Sequence, residues 1–200
     1  MEVEYSNDKF NNRSFTGFIG EITDLSHIIN DINKIKLKRN IKVKRIIKND
    51  EDLKMLGLSK EILKTKIKDL SESEYKLVLL IKTCALKPNI IILNNFDLGF
   101  NYKTKSKISK YIKTINALYN INFIIITNDL LFINKNAKHI IIAKNEIIKY
   151  QGDILTAIKQ GLLEKLPIID FIDLAREKNK KIEYTLDKKE LLRLIYRSVF

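Results

Sequence analysis

Residues 70–101 read LSESEYKLVLLIKTCALKPNIIILNNFDLGFN. Leu77, Leu80, Ile81 and Cys84 recur at helical spacing, which predicts a helix with one apolar face. Pro88 and Asn89 stop it, as proline does just past a helix end. Ile90 to Leu93 is an unbroken apolar run, the pattern of a strand buried on both faces of a parallel sheet. Asn94 and Asn95 fall at the carboxyl end of that strand, where open α/β sheets place their ligands. A turn at Gly99 and the polar Asn101 close the unit.

This stretch resembles the segment of ABC-type ATPases that runs from the signature to the D-loop. In that family Leu-Ser-Gly-Gly-Gln opens a helix, a strand ends in Asp-Glu-Pro, and a Gly-Leu-Asp turn follows. Here the corresponding words are Leu70-Ser71-Glu72-Ser73-Glu74, Leu93-Asn94-Asn95-Phe96 and Gly99-Phe100-Asn101. The spacing is kept while the catalytic side chains differ. The resemblance implies an α/β fold: a truncated P-loop NTPase-like, mostly parallel sheet with flanking helices, plus a C-terminal helical tail. It puts the ATPase-like domain at 1–152 and the helical extension at 153–200.

Composition narrows the field. The chain has 200 residues, 45% apolar and 30% charged, enough for one sizeable core. No stretch approaches the roughly 20 apolar residues that span a bilayer, and the polar start MEVEYSNDKF does not read as a secretory signal. A lone Cys84 rules out an internal disulfide and suits a reducing compartment. Its place on an apolar helix face makes it a core residue. These features suit a cytoplasmic protein, and the resemblance implies that it reaches a membrane through a transporter complex. The formal net charge is +13. Lys far outnumbers Arg, whereas geometric phosphate recognition favours Arg, so no dedicated nucleic-acid role is expected.

Short apolar pieces at Val3–Tyr5 and Ser14–Ile19 read as strands about an Asn- and Asp-rich turn. Glu21 to Ile35 has helical periodicity. Strand, glycine turn and helix occur in the order of a phosphate-cradling loop. Gly20 matches the first glycine of that loop. Glu21 and Asp24 then stand where phosphates would go, and no lysine precedes a Ser or Thr there. Acidic residues in a first turn suit the helix dipole, so an ordinary capped helix explains this segment better. His27 reads as a helix-surface residue. Residues 34–52 are basic and partly alternating, which predicts a half-buried strand or hairpin with a lysine face. In the ABC family a longer segment with a Gln-containing loop stands here. This chain has no Gln before Gln151, so the segment reads as cut down to a connector.

Residues 50–70 resemble the helical piece before the signature. Leu56-Gly57-Leu58-Ser59 and Asp69-Leu70-Ser71 are similar to words of energy-coupling-factor transporter ATPases. Lys103–Tyr119 is an amphipathic helix with Ile108, Tyr111, Ile112 and Ile115 inward. Phe123–Thr127 is a buried strand ending in Thr127-Asn128-Asp129, where the family has Thr-His-Asp. Strands ending at Ile19, Leu93, Ile126 and Ile142 should share one sheet. Lys138–Ala143 and Glu146–Tyr150 form a hairpin like the pair that closes the ATPase core, and His139 belongs to its first strand. Asp153 caps a helix to Leu163. Pro167 opens another. Thr185 caps a last one, with Leu186, Leu191, Leu192, Leu194 and Ile195, of which Leu186, Leu191, Leu192 and Ile195 should form its apolar face.

The resemblance implies that Asn94 fills the magnesium-associated Asp slot, Asn95 the catalytic Glu slot and Asn128 the switch-His slot. Gly20, Ser71 and Asn101 fill family nucleotide-binding positions. A carboxamide carries no charge to hold Mg²⁺ and is a very poor base. The expected cofactor is therefore none, or weakly held ATP, with no resident metal. The expected partner is an active ABC ATPase subunit or a transporter membrane subunit. The alternative is a free-standing, non-catalytic interaction protein that kept only the fold.

Overall fold

The computed structural model describes residues 15–20, 31–144, 147–178 and 182–199. The expected strand at 3–5, the turn at 7–12, most of the helix from Glu21, and His27 lie outside the described residues. A five-stranded sheet forms the centre. Its strands are β1 (Phe15–Ile19), β2 (Ile90–Asn94), β3 (Asn122–Ile126), β4 (His139–Lys144) and β5 (Ile147–Gly152), in the spatial order β2-β3-β1-β4-β5. The first four are parallel, and β5 runs antiparallel to β4. The strand over 90–93 is therefore present and lies beside β3, as the sequence predicts.

Local chemistry explains the elements. Ser71 caps α2 (Glu72–Ala85) in a capping box with Glu74, satisfying two amides that the helix itself leaves open. Leu77, Leu80, Ile81 and Cys84 of α2 are all buried. Asn101 caps α3 (Tyr102–Tyr119), and Asn120 ends it in the left-handed region with φ 57°. Phe15 of β1 stacks on Phe123 of β3, ring centroids 5.4 Å apart. A single apolar cluster joins α2, α3, β2 and β3 with Ile154 and Ile158 of α5 (Ile154–Lys159) and Ile169 and Ile172 of α6 (Pro167–Glu177). Pro167 stands at the start of α6, where its missing amide costs nothing.

Gly17 sits in the middle of β1. A Cβ there would come 2.6 Å from Ile133 Cγ2 of α4 (Leu130–Asn136) and 3.1 Å from Ile140 Cγ2 of β4. Hydrogen at this position is what lets α4 lie against the central strand.

Several expectations are corrected. Residues 34–52 do not form a strand or hairpin. They are irregular, with tight turns at Ile32–Lys34 and Val43–Arg45 and one antiparallel bridge, Lys42 to Lys66, followed by α1 (Asp50–Leu56). Leu37, Val43 and Ile47 are buried while the lysines between them are exposed, so the half-buried pattern survives without regular pairing. The described end of the segment from Glu21 is a single 3-10 turn, Ile32–Lys34, and not α-helix. The helix capped by Asp153 stops at Lys159, and the chain turns at Gly161, φ 71°. The last helix, α7 (Lys188–Val199), is capped by Asp187, whose carboxylate accepts from the Lys189 amide, and not by Thr185. Leu192 is 56% exposed, and Leu194 packs inward with Leu186, Leu191 and Ile195.

Gly17→Val should lower stability by about 2 kcal/mol, the range of an overpacked core. Urea unfolding checks it. An unchanged midpoint would mean that α4 does not rest on β1.

Candidate functional site

The carboxyl ends of β2, β3 and β1 lie level. The Asn95 amide donates to the Ile126 carbonyl at 2.7 Å, and the Thr127 amide to the Phe18 carbonyl at 3.2 Å. The chain leaves β1 toward β2 and leaves β3 toward β4, so connections depart in opposite directions from two adjacent strands. That is the topological switch point at which such sheets bind ligands. The expected positions Gly20, Asn94, Asn95 and Asn128 all fall on this edge.

Gly20 has φ 130°, and a Cβ would lie 2.2 Å from the Ala143 carbonyl oxygen. The glycine is therefore demanded by close approach to β4, whatever lies beyond. The acidic residues Glu21 and Asp24 lie outside the described residues. Asn95 has φ 47°, a left-handed conformation that Asn tolerates better than most residues. Its side chain donates to Asn94 Oδ1 at 3.3 Å. Asn94 Nδ2 in turn reaches Asp31 Oδ2 at 3.5 Å, and the Asn33 side chain donates to the Asn94 carbonyl at 2.9 Å. Asp31 is buried, and its Oδ1 accepts the Asn33 amide at 2.9 Å. Asn128 is exposed.

Ser71 and Asn101 stand at helix N-termini, and each is engaged there. Ser71 Oγ donates to Glu74 Oε2 at 2.7 Å, and Asn101 Oδ1 accepts from Thr104 at 2.9 Å. Lys76 of α2 donates to the Leu98 carbonyl at 3.0 Å, tying the signature-like helix to the 95–101 loop.

The sequence reading missed a second network on this edge. Lys105 Nζ lies 2.7 Å from Asp129 Oδ2 and 3.3 Å from Asp97 Oδ2. Asp97 is 1% exposed, and its other oxygen has no described partner. Lys105 thus joins the loop after β2 to the loop after β3. Burial opposes the ammonium charge, but the hydrogen bonds to Asp129 and Asp97 outweigh it and hold Lys105 above its ordinary range. Burial would likewise raise Asp129, yet the bonds from Lys105 and the Phe132 amide bring its carboxyl below the ordinary value. Asp97, just past the strand-end word Leu93-Asn94-Asn95-Phe96, and Asp129 beside Asn128 were visible signals. The lysine that joins them was not.

A separate cavity of about 370 Å³ lies between α1, α2 and α3, lined by Asp52, Cys84 and Tyr111 among others. Burial raises the Asp52 carboxyl above its usual range, against the bond from Tyr111. Among the described residues no cluster of His, Cys, Asp and Glu could hold a metal ion, and no helix is long and apolar enough to cross a membrane.

No protein-family model matches the chain. Over 106 residues it is 31% identical to the zinc import ATP-binding protein ZnuC of Ehrlichia chaffeensis; the match takes in 53% of this chain and spans 43% of that curated relative's length. Among solved structures it is similar to an ATP-binding subunit of an ABC transporter, with TM-score 0.63 and 13% identity over 82% of this chain and 89% of the other. It is also similar to a bacterial ABC transporter cassette solved as a dimer, with TM-score 0.59 and 15% identity over 72% of this chain and 87% of the other. A post-hydrolysis state of that cassette, bound to ADP and Pi, gives TM-score 0.56 at 15% identity over the same shares. The chain therefore has the fold of an ABC transporter ATP-binding subunit.

Lys105→Met strands the buried Asp97 carboxylate and should cost about 3 kcal/mol near pH 7. The contribution of Asp129 is present above its unfolded pKa, about 3.9, and is lost as pH falls through its lowered folded value. That of Lys105 is present below about 10.4 and is lost as pH rises through its raised folded value. Urea titrations of both proteins should therefore show the wild-type advantage intact at neutral pH and shrinking below about pH 4. Equal stabilities at neutral pH would show that the bridge holds nothing.

Proposed function

We propose that this chain is a catalytically silent, ATP-binding-subunit-like partner in an importer complex. It pairs with an active ABC ATPase or docks on the transporter's membrane subunit. In this reading residues 1–152 are the ATPase-like core and 153–200 a helical extension. The extension offers partners the exposed Phe171 and Leu174 of α6 and Leu192 and Tyr196 of α7. The importer assignment draws on the zinc import subunit to which the chain is similar. The energy-coupling-factor likeness rests on Leu56-Gly57-Leu58-Ser59 and on the pattern of the tail.

The observation that carries silence is the carboxamide pair at the end of β2. Hydrolysis of ATP draws on a magnesium ion held near a carboxylate and on a residue that orients or activates water. Asn94 and Asn95 are neutral; Asn95 donates to Asn94, and Asn94 donates to Asp31. Asp31 accepts from Asn33 and Asn94, and Asp129 is taken by Lys105. The fold family implies ATP as the bound group, but among the described residues the donor set on this edge does not fit a magnesium-bound triphosphate. Affinity for ATP is accordingly weak or nil.

The test is magnesium-dependent ATP turnover by the purified chain, with and without a co-encoded ATPase. The chain alone should stay at background, and Asn95→Glu with Asn128→His should not raise it, because phosphate binding is limiting. Turnover by the chain alone that disappears on Asn95→Ala would overturn the reading.

A further inference from the structure

Residues 34–48 carry eight cations and no Asp or Glu, in a chain whose formal net charge is +13. All eight are exposed. The backbone that presents them is held down by buried Leu37, Val43 and Ile47. A second stretch runs antiparallel beside it: the Val43 amide donates to the Thr65 carbonyl, the Ile67 amide to Ile41 and the Lys68 amide to Arg39, each at 3.0 Å. That neighbour adds exposed Lys66 and Lys68 to the ridge. Lys36, Lys38, Arg39, Lys42, Lys44 and Arg45 make no ion pair with a described residue. The nearby acids are partly spent, with Asp50 on Lys60 at 2.6 Å and Glu61 on Lys64 at 3.9 Å.

We infer that this two-ply basic ridge is a docking surface for an anionic lipid bilayer. Charge of one sign, fixed on a packed ribbon, repels itself in the folded chain and is relieved by a polyanion. The composition favours a membrane over a nucleic acid. Residues 31–70 contain no Phe, Tyr or Trp on which a base could stack, and lysine predominates over arginine. Lysine acts as a point charge and suits a laterally uniform sheet of headgroups, whereas base and phosphate geometry call for aromatic rings and guanidinium forks. The choice of a bilayer also rests on the transporter reading, since a subunit of an importer works beside the cytoplasmic leaflet and its anionic lipids.

The experiment needs only the full chain and vesicles. Sedimentation with phosphatidylcholine vesicles containing about 30% phosphatidylserine should pull the chain down at about 0.1 M salt, and plain phosphatidylcholine should not. Each cation near such a surface strengthens partitioning about fivefold, so the exposed triple variant Lys36→Gln, Lys38→Gln, Lys42→Gln should lose about 100-fold while keeping its circular dichroism and unfolding midpoint. Equal sedimentation with both lipids, or an unaffected triple variant, would overturn the inference. So would tighter binding of a DNA or RNA duplex than of the anionic vesicles at the same salt, which would name a nucleic-acid backbone as the partner. The assay contains neither ATP nor a partner subunit. Failure here with pairing intact removes only the lipid surface, and vesicle binding without any pairing removes only the transporter reading.

Discussion

Two backbone hydrogen bonds hold the working edge of this molecule level: Thr127 to Phe18, and Asn95 to Ile126. They bring the ends of three strands into one row, although those strands come from parts of the chain more than 70 residues apart, Phe15–Ile19 against Ile90–Asn94. Everything placed on the edge inherits its position from that row. The row depends in turn on β1 being flanked on both sides, which requires helix α4 to lie close over it. Gly17 makes that approach possible, because any side chain there would meet Ile133 and Ile140. A single missing Cβ in the central strand thus underlies the geometry of positions far along the sequence.

The strands and the two long helices were legible because their signals are local. A run such as Ile90 to Leu93 and a face such as Ile108, Tyr111, Ile112 and Ile115 state their own periodicity, and all seven of the helix and strand residues other than Ile90 are buried. The places of Asn94, Asn95 and Asn128 followed from being just past strand ends. Other features depend on pairing that local pattern cannot carry. Asp31 meets Asn94 across 63 residues, and Lys105 meets Asp129 across 24. The alternation in 34–52 correctly marked which side chains go inward and still failed to give a strand, because alternation encodes burial and not the partner that a ladder needs. In the tail, helical periodicity offered both Leu192 and Leu194, and which of them turns inward depends on the elements that the helix packs against.

The carboxamides and the charges of this edge form a consistent pair. Asn offers both a donor and an acceptor, so Asn33, Asn94 and Asn95 can satisfy one another and the buried Asp31 without any added cation. Two carboxylates in the same adjacent slots would repel and would call for a counter-ion. Among the described residues, the negative charge of Asp97 and Asp129 on this edge has its counter-ion in Lys105. An ammonium on α3 therefore supplies the positive charge for these two carboxylates from within the chain, and it ties the loop after β2 to the loop after β3 through a side chain.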